Sequence, residues 1–188
     1  MPNVSDVKSK FFGAVDALDA DGISVAASIG SATTLTLGGA LTSGGSYTSG
    51  DNIGQLVTIL SAGDDSGITF TVVGTDAVGD AQTEVVTGAN AGTATSSGYF
   101  NTVTSITTSA ASAGDVSAGV TGTGTGTVFA GRTRIRGLQG LSGTAAGNLL
   151  FKNTSVTGTT LLTVPTQAAA ELIEPYIPDN AVLFDAGA

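Results

Sequence analysis

Cysteine, histidine and tryptophan are all missing from this 188-residue chain, and each absence excludes a class of chemistry. Without cysteine there is no disulfide framework and no thiolate, so cysteine usage does not report the compartment. Without histidine or cysteine, neither the Ser–His–Asp nor the Cys–His arrangement of covalent catalysis can be assembled. Aromatics reach only 5%, so the flat platforms that line sugar clefts are scarce. Charge is scarce too, at 11%, against about 25% in an average domain. Six Lys and Arg stand against fifteen Asp and Glu, for a net charge of −9. That balance argues against a nucleic-acid partner, because phosphate contacts need a basic footprint. No apolar run approaches the about 18 residues of a membrane span. Residues 1–6 lack the basic head and apolar run of a signal peptide. The expectation is a soluble protein made in a cytoplasm, with no membrane partner.

What fills the space is β grammar. Short alternations of apolar residues with threonine are cut repeatedly by Gly, Asp, Asn and Ser, as in Gly63-Asp64-Asp65-Ser66-Gly67 and Gly88-Ala89-Asn90-Ala91-Gly92. Alternation marks a strand with one buried and one wet face, and these residues supply the backbone geometries of tight turns. Candidate strands fall at 33–37, 55–60, 68–73, 82–87, 101–107 and 116–120, with 23–27 as a further one. Ile68, Phe70 and Val72 should face the core. The 55–60 strand is apolar on both faces and should be central or covered.

The expected fold class is all-β: two antiparallel β-sandwich or barrel-like modules with an extended N-terminal arm. The arm spans 1–22, the first module 23–121 and a small second module 128–188. Between the modules lies Thr121-Gly122-Thr123-Gly124-Thr125-Gly126-Thr127. It has nothing apolar to bury and much entropy to lose, so 122–127 is expected as a linker, with a fully extended strand as the alternative. In the second module, strands are expected within 128–138 and at 149–152, 159–164, 171–177 and 182–185, with prolines 165, 175 and 178 at ends or edges. A module of about 60 residues is marginal alone.

Chemical motifs are weak. A Ser–Lys pair would need Lys8, Lys10 or Lys152, and no local signature supports one. The carboxylates lie mostly in turns rather than as a glycosidase pair. The loops at 63–67 and 76–80 could offer oxygens to calcium, but they lack EF-hand spacing, and Asp capping its own turn accounts for them. The Gly-x-Gly runs are not followed by the helix and Lys-Ser/Thr of a phosphate loop. No catalytic, cofactor or metal residue is therefore assigned, and no small-molecule substrate. Two features suggest contact surfaces. Phe11 and Phe12 on a polar segment could anchor the arm in a partner's groove or cover the domain's own core edge. Arg132, Arg134 and Arg136 alternate with period two, which on a strand places them on one face about 7 Å apart, with Ile135 turned to the core. They are either a solvated face paired with Asp in the same sheet or a dock for an acidic neighbour.

The run Val57-Thr58-Ile59-Leu60-Ser61-Ala62-Gly63-Asp64-Asp65-Ser66-Gly67-Ile68-Thr69-Phe70-Thr71-Val72-Val73 and its continuation Thr83-Glu84-Val85-Val86-Thr87-Gly88-Ala89-Asn90 resemble a module of tailed-phage virion structural proteins. The later segments Gly147-Asn148-Leu149-Leu150-Phe151-Lys152 and Ile177-Pro178-Asp179-Asn180-Ala181-Val182-Leu183-Phe184 are similar to a second small β module of such proteins. The resemblance implies a non-enzymatic β-rich subunit, present in many copies on a virion head or tail. The first expectation is a capsid decoration (cement) protein, a homotrimer whose partners are its own copies and the major capsid protein. A tail or adaptor component and a carbohydrate-binding adhesion module are the alternatives.

Overall fold

A computed structural model of the chain describes residues 7–178, 180–185 and 187–188. The chain divides into two units, Met1–Gly126 and Thr127–Ala188. Both are all-β, and the described residues contain no helix. The fold is sandwich-like, with no sheet closed into a barrel.

The first unit is built from β1 (Asp19–Ser28), β2 (Thr42–Ser43), β3 (Ser46–Thr48), β4 (Gly54–Ser61), β5 (Thr69–Thr75), β6 (Ala81–Thr87), β7 (Thr93–Phe100), β8 (Thr102–Thr108) and β9 (Asp115–Thr125). They form two antiparallel sheets, ordered β1-β9-β4-β7 and β2-β3-β8-β5-β6, and the chain crosses repeatedly between them. One core joins the sheets: Ile23, Val57, Ile59, Phe100, Val116, Ala118 and Val120 come from the first, and Tyr47, Phe70, Val72, Val86, Val103 and Ile106 from the second. The alternation of β5 works as expected, with Phe70 and Val72 fully buried between the partly exposed Thr69, Thr71 and Val73. Strand β4 is central, paired to β7 on one side and β9 on the other.

Three expectations need correction. Residues 33–37 are not a strand; only an isolated bridge joins Thr34 to Thr107, although Leu35 and Leu37 are buried. Strand β7 was not foreseen because Thr93–Phe100 has almost no apolar alternation; backbone pairing to β4 holds it. The Thr-Gly run expected as a linker belongs mostly to β9, which continues to Thr125. Glycine suits the crowding along this strand: a Cβ at Gly119 would lie 1.8 Å from the Asp19 carbonyl oxygen.

The second unit holds β10 (Thr133–Ile135), β11 (Gly140–Leu141), β12 (Gly147–Lys152), β13 (Thr160–Thr166), β14 (Leu172–Ile173) and β15 (Val182–Phe184). They pair as three nested two-stranded ribbons, β10-β15, β11-β14 and β12-β13. The two ends of this unit meet outside the outermost ribbon, where the amide of Val128 donates to the carbonyl of Ala188 at 2.8 Å. The core is small: Ile135, Phe151, Val164 and Phe184, ringed by half-buried residues such as Leu138, Leu162 and Ile173. The 171–177 strand shrinks to Leu172–Ile173, because Pro175 and Pro178 deprive that segment of amide donors.

Candidate functional site

The N-terminal segment is sewn to its own unit rather than free. Strand β1 begins at Asp19, so the end of the expected 1–22 arm is already sheet. Upstream, the Gly13 amide donates to the Asp51 carbonyl at 2.8 Å, and Asn52 Nδ2 donates to the Phe11 carbonyl at 3.0 Å. Asn52 has φ 57, a left-handed conformation that asparagine tolerates better than most residues. Deeper in stands Gln55, fully buried. Its Nε2 donates to the carbonyls of Asp16 (3.0 Å) and Thr121 (2.6 Å). Its Oε1 lies within 3.1 Å of three donors: the Asp16 amide, the Tyr47 hydroxyl and the Ser49 hydroxyl. An amide oxygen has two lone pairs, so the Tyr47 proton is better placed on the Asp16 carboxylate, 2.9 Å away, in a charge-assisted bond. Burial pushes the Tyr47 phenol above its ordinary value, and the Asp16 charge adds to the shift against the opposing Ser49 hydroxyl.

Over this polar knot the segment lies along the bare face of β9. A Cβ on Gly122 would meet Leu18, one on Gly124 would meet Val15 and Ile53, and one on Gly126 would meet the ring of Phe12. The Thr-Gly alternation is therefore a track: glycine on one face lets the N-terminal backbone lie close, and threonine faces the other way. The phenylalanine pair splits accordingly. Phe12 packs against Gly126 with Lys10 Nζ 5.9 Å from its ring centroid, whereas Phe11 is 70% exposed. Of the pair, Phe11 is the one available to a partner.

The acidic loops cap themselves. Asp64 Oδ1 accepts from the amide and hydroxyl of Ser66, which hold its carboxyl below the usual range. Asp76 Oδ1 accepts from the amides of Val78 and Asp80. Buried Asp65 ties its loop to the β8–β9 connection by accepting from the Ala113 amide at 2.7 Å.

In the arginine row only Arg134 lies within β10, which is three residues long; Arg132 and Arg136 flank it. The strand thus holds only the middle member of the row; all three arginines are exposed and Ile135 is buried as foreseen. Arg132 Nε sits 3.5 Å from Asp185 Oδ1 with both side chains mostly in solvent, a pair worth about 0–1 kcal/mol. Arg134 Nη1 donates to the Asn180 carbonyl at 2.6 Å.

A more prominent surface was not anticipated. Among the described residues, the first unit buries seventeen apolar side chains and exposes eight large ones, whereas the second buries four and also exposes eight. Leu141 and Leu172 face each other across β11 and β14, 73% and 63% exposed. Leu149, Leu150 and Leu161 are exposed on the β12-β13 ribbon, and Tyr176 is 86% exposed. Beside β14 runs an open groove of about 280 Å³, with Val164, Pro165, Leu172, Ile173 and Pro175 among its walls. The signal was present in the doublets Leu149-Leu150 and Leu161-Leu162. Adjacent strand residues point to opposite faces, so a ribbon covered on one face must leave part of each doublet wet. Charge divides just as unevenly. Residues 1–126 carry eleven acids and two lysines, and residues 127–188 four acids and four bases, so the whole −9 resides in the first unit and the second is neutral. Comparison of the chain with protein-family models, with curated proteins and with solved structures gives no match.

Proposed function

We propose that the protein is a non-enzymatic structural component of a virion, a capsid decoration protein that clamps neighbouring shell subunits through its C-terminal unit. The observation that carries this reading is the exposed apolar surface of that unit, set on ribbons whose strands all lie at an edge. Exposed apolar patches and open strand edges are surfaces that association covers. The neutral charge of the unit adds no net repulsion of its own toward a partner of either sign.

Moving a half-exposed leucine out of water contributes about 1 kcal/mol. The cost of association is about 4–15 kcal/mol, so a few such contacts bind weakly alone and tightly when repeated on a lattice. Phe11 and the exposed arginines supply secondary contacts to the major capsid protein. Deleting residues 1–20 is a poor probe of the arm, since it would remove the partners of Gln55 and the start of β1. Phe11→Ala tests the arm without that damage.

The test is cosedimentation of purified protein with empty shells of the virus that encodes it, followed by immunogold labelling of whole particles. Binding across the shell lattice, lost in a Leu141→Glu/Leu172→Glu double variant, is the expected result. Label confined to one vertex would favour a tail or adaptor role, and absence from the particle would overturn the proposal.

A further inference from the structure

We infer that the outer edge of β12 pairs with β12 of a second copy of this chain, joining two β12-β13 ribbons into one four-stranded antiparallel sheet. This rests on the reading of the C-terminal unit as a docking unit and names one of its partners. Strand β12, Gly-Asn-Leu-Leu-Phe-Lys, pairs only with β13 among the described residues. Its first four residues are exposed, it has no proline, and its one charge stands at its last position. Such an edge is a template for another strand. Among the described residues, the edge strands of the other two ribbons are only two or three residues long, and the longer edges are blunted. In the first unit, the amides of Gly39 and Leu41 donate to the carbonyls of Ile23 and Gly22, covering β1. Glu84 on β6 accepts from the amides of Ser97 and Gly98 at 2.6 and 2.8 Å, tying that edge to β7. Strand β13 carries Pro165, which removes a donor.

Charge and register select a second copy as the occupant. Two copies meeting through the first unit would oppose −9 to −9, whereas the second unit is neutral. A two-fold axis normal to the sheet keeps each face on its own side, so opposed residues must share a face and their numbers must have the same parity. Centring on Leu149 would set Asn148 against Leu150 and Gly147 against Phe151, both mismatches. Centring on Leu150 sets Leu150 against Leu150, Leu149 against Phe151, and Asn148 against Lys152. Apolar then meets apolar, an amide carbonyl meets the ammonium, and no like charges are opposed. The contact closes on itself and yields a dimer rather than a three-fold ring.

The chain has no cysteine, so the axis can be probed without background. Leu150→Cys should link on mild oxidation into a species of twice the 18.2 kDa chain mass, while Val85→Cys on exposed β6 should not. Light scattering of the unmodified chain over a concentration series should approach the dimer mass. Leu150→Arg, at a site 46% exposed in the single chain, should weaken dimerisation by about tenfold or more by opposing two cations on the axis. A chain that stays monomeric throughout, or a trimer whose Leu150→Cys form does not link, would overturn the pairing. The shell assay reports separately. A Leu150→Arg monomer that still cosediments leaves the virion reading standing. A linked dimer that never binds shells supports the pairing and removes that reading.

Discussion

The two units use the same β vocabulary to opposite ends. The first covers β1 with backbone from 39–41, ties β6 to β7 through Glu84, and lays its own N-terminal segment along the glycine track of β9. It also carries the whole net charge. The second is built of three two-stranded ribbons and, among the described residues, buries four apolar side chains and exposes eight large ones. The difference teaches that edge closure and charge placement, more than composition, separate a self-contained sandwich from a unit built to be covered.

The sharpest way to break the comparison is Phe184→Ala. Truncating a buried phenylalanine costs about 3–5 kcal/mol, and Phe184 is one of four buried apolar side chains among the described residues of its unit. Hydrogen exchange should show protection lost across 127–188 and kept in 1–126. Equal loss in both would show that the first unit is not self-sufficient.

Next in size is Gln55→Leu. It leaves the Asp16 amide, the Ser49 hydroxyl and two carbonyls without their buried partner. A fully buried unmet group costs about 1–3 kcal/mol; three of these four bonds are only part-buried, so a total at the low end, about 3–4 kcal/mol, is expected in urea unfolding. Faster proteolysis within residues 7–18 should accompany it, because this side chain holds the segment down.

Tyr47→Phe is smaller, about 1 kcal/mol at neutral pH for the lost hydrogen bond, and its signature is the pH profile. The folded state raises the Tyr47 pKa above the ordinary 10.0. The protonated phenol therefore contributes fully below pH 10, and that stability is lost as the pH rises above 10 and the unfolded chain ionises first. Thermal melts of the first unit should fall above pH 10 in the parent chain and fall less in the variant. At the bottom of the scale, Arg132→Ala should change stability by less than about 0.5 kcal/mol, since its pair with Asp185 is mostly in solvent. A larger loss would mean that the second unit depends on its rim charges.

Much of the first sandwich was legible. Strands β5, β6 and β8 announce themselves through alternation bounded by turn residues and β4 as a short apolar run, and the burial of Phe70 and Val72 follows from period two alone. Strand β7 was not legible, because Thr-Ala-Thr-Ser-Ser-Gly-Tyr-Phe has no apolar period and is held by backbone pairing to β4. The Thr-Gly run read as a linker for the same reason: a glycine face pays off only when another backbone lies on it, and that backbone comes from about a hundred residues upstream. Among the contact candidates, the exposure of the arginines followed from their charge. The separation of Phe11 from Phe12 did not, since both have equal hydrophobicity and only one meets Gly126.

The amino-acid sequence by itself determined the β class, the turn positions, the scarcity of reactive side chains and the charge imbalance between the halves, because these depend on residue type and local period. Tertiary structure alone decided which edges are covered, where the N-terminal segment lies and which leucines stay wet. Those outcomes depend on which distant backbone reaches a given strand, and no local pattern encodes that.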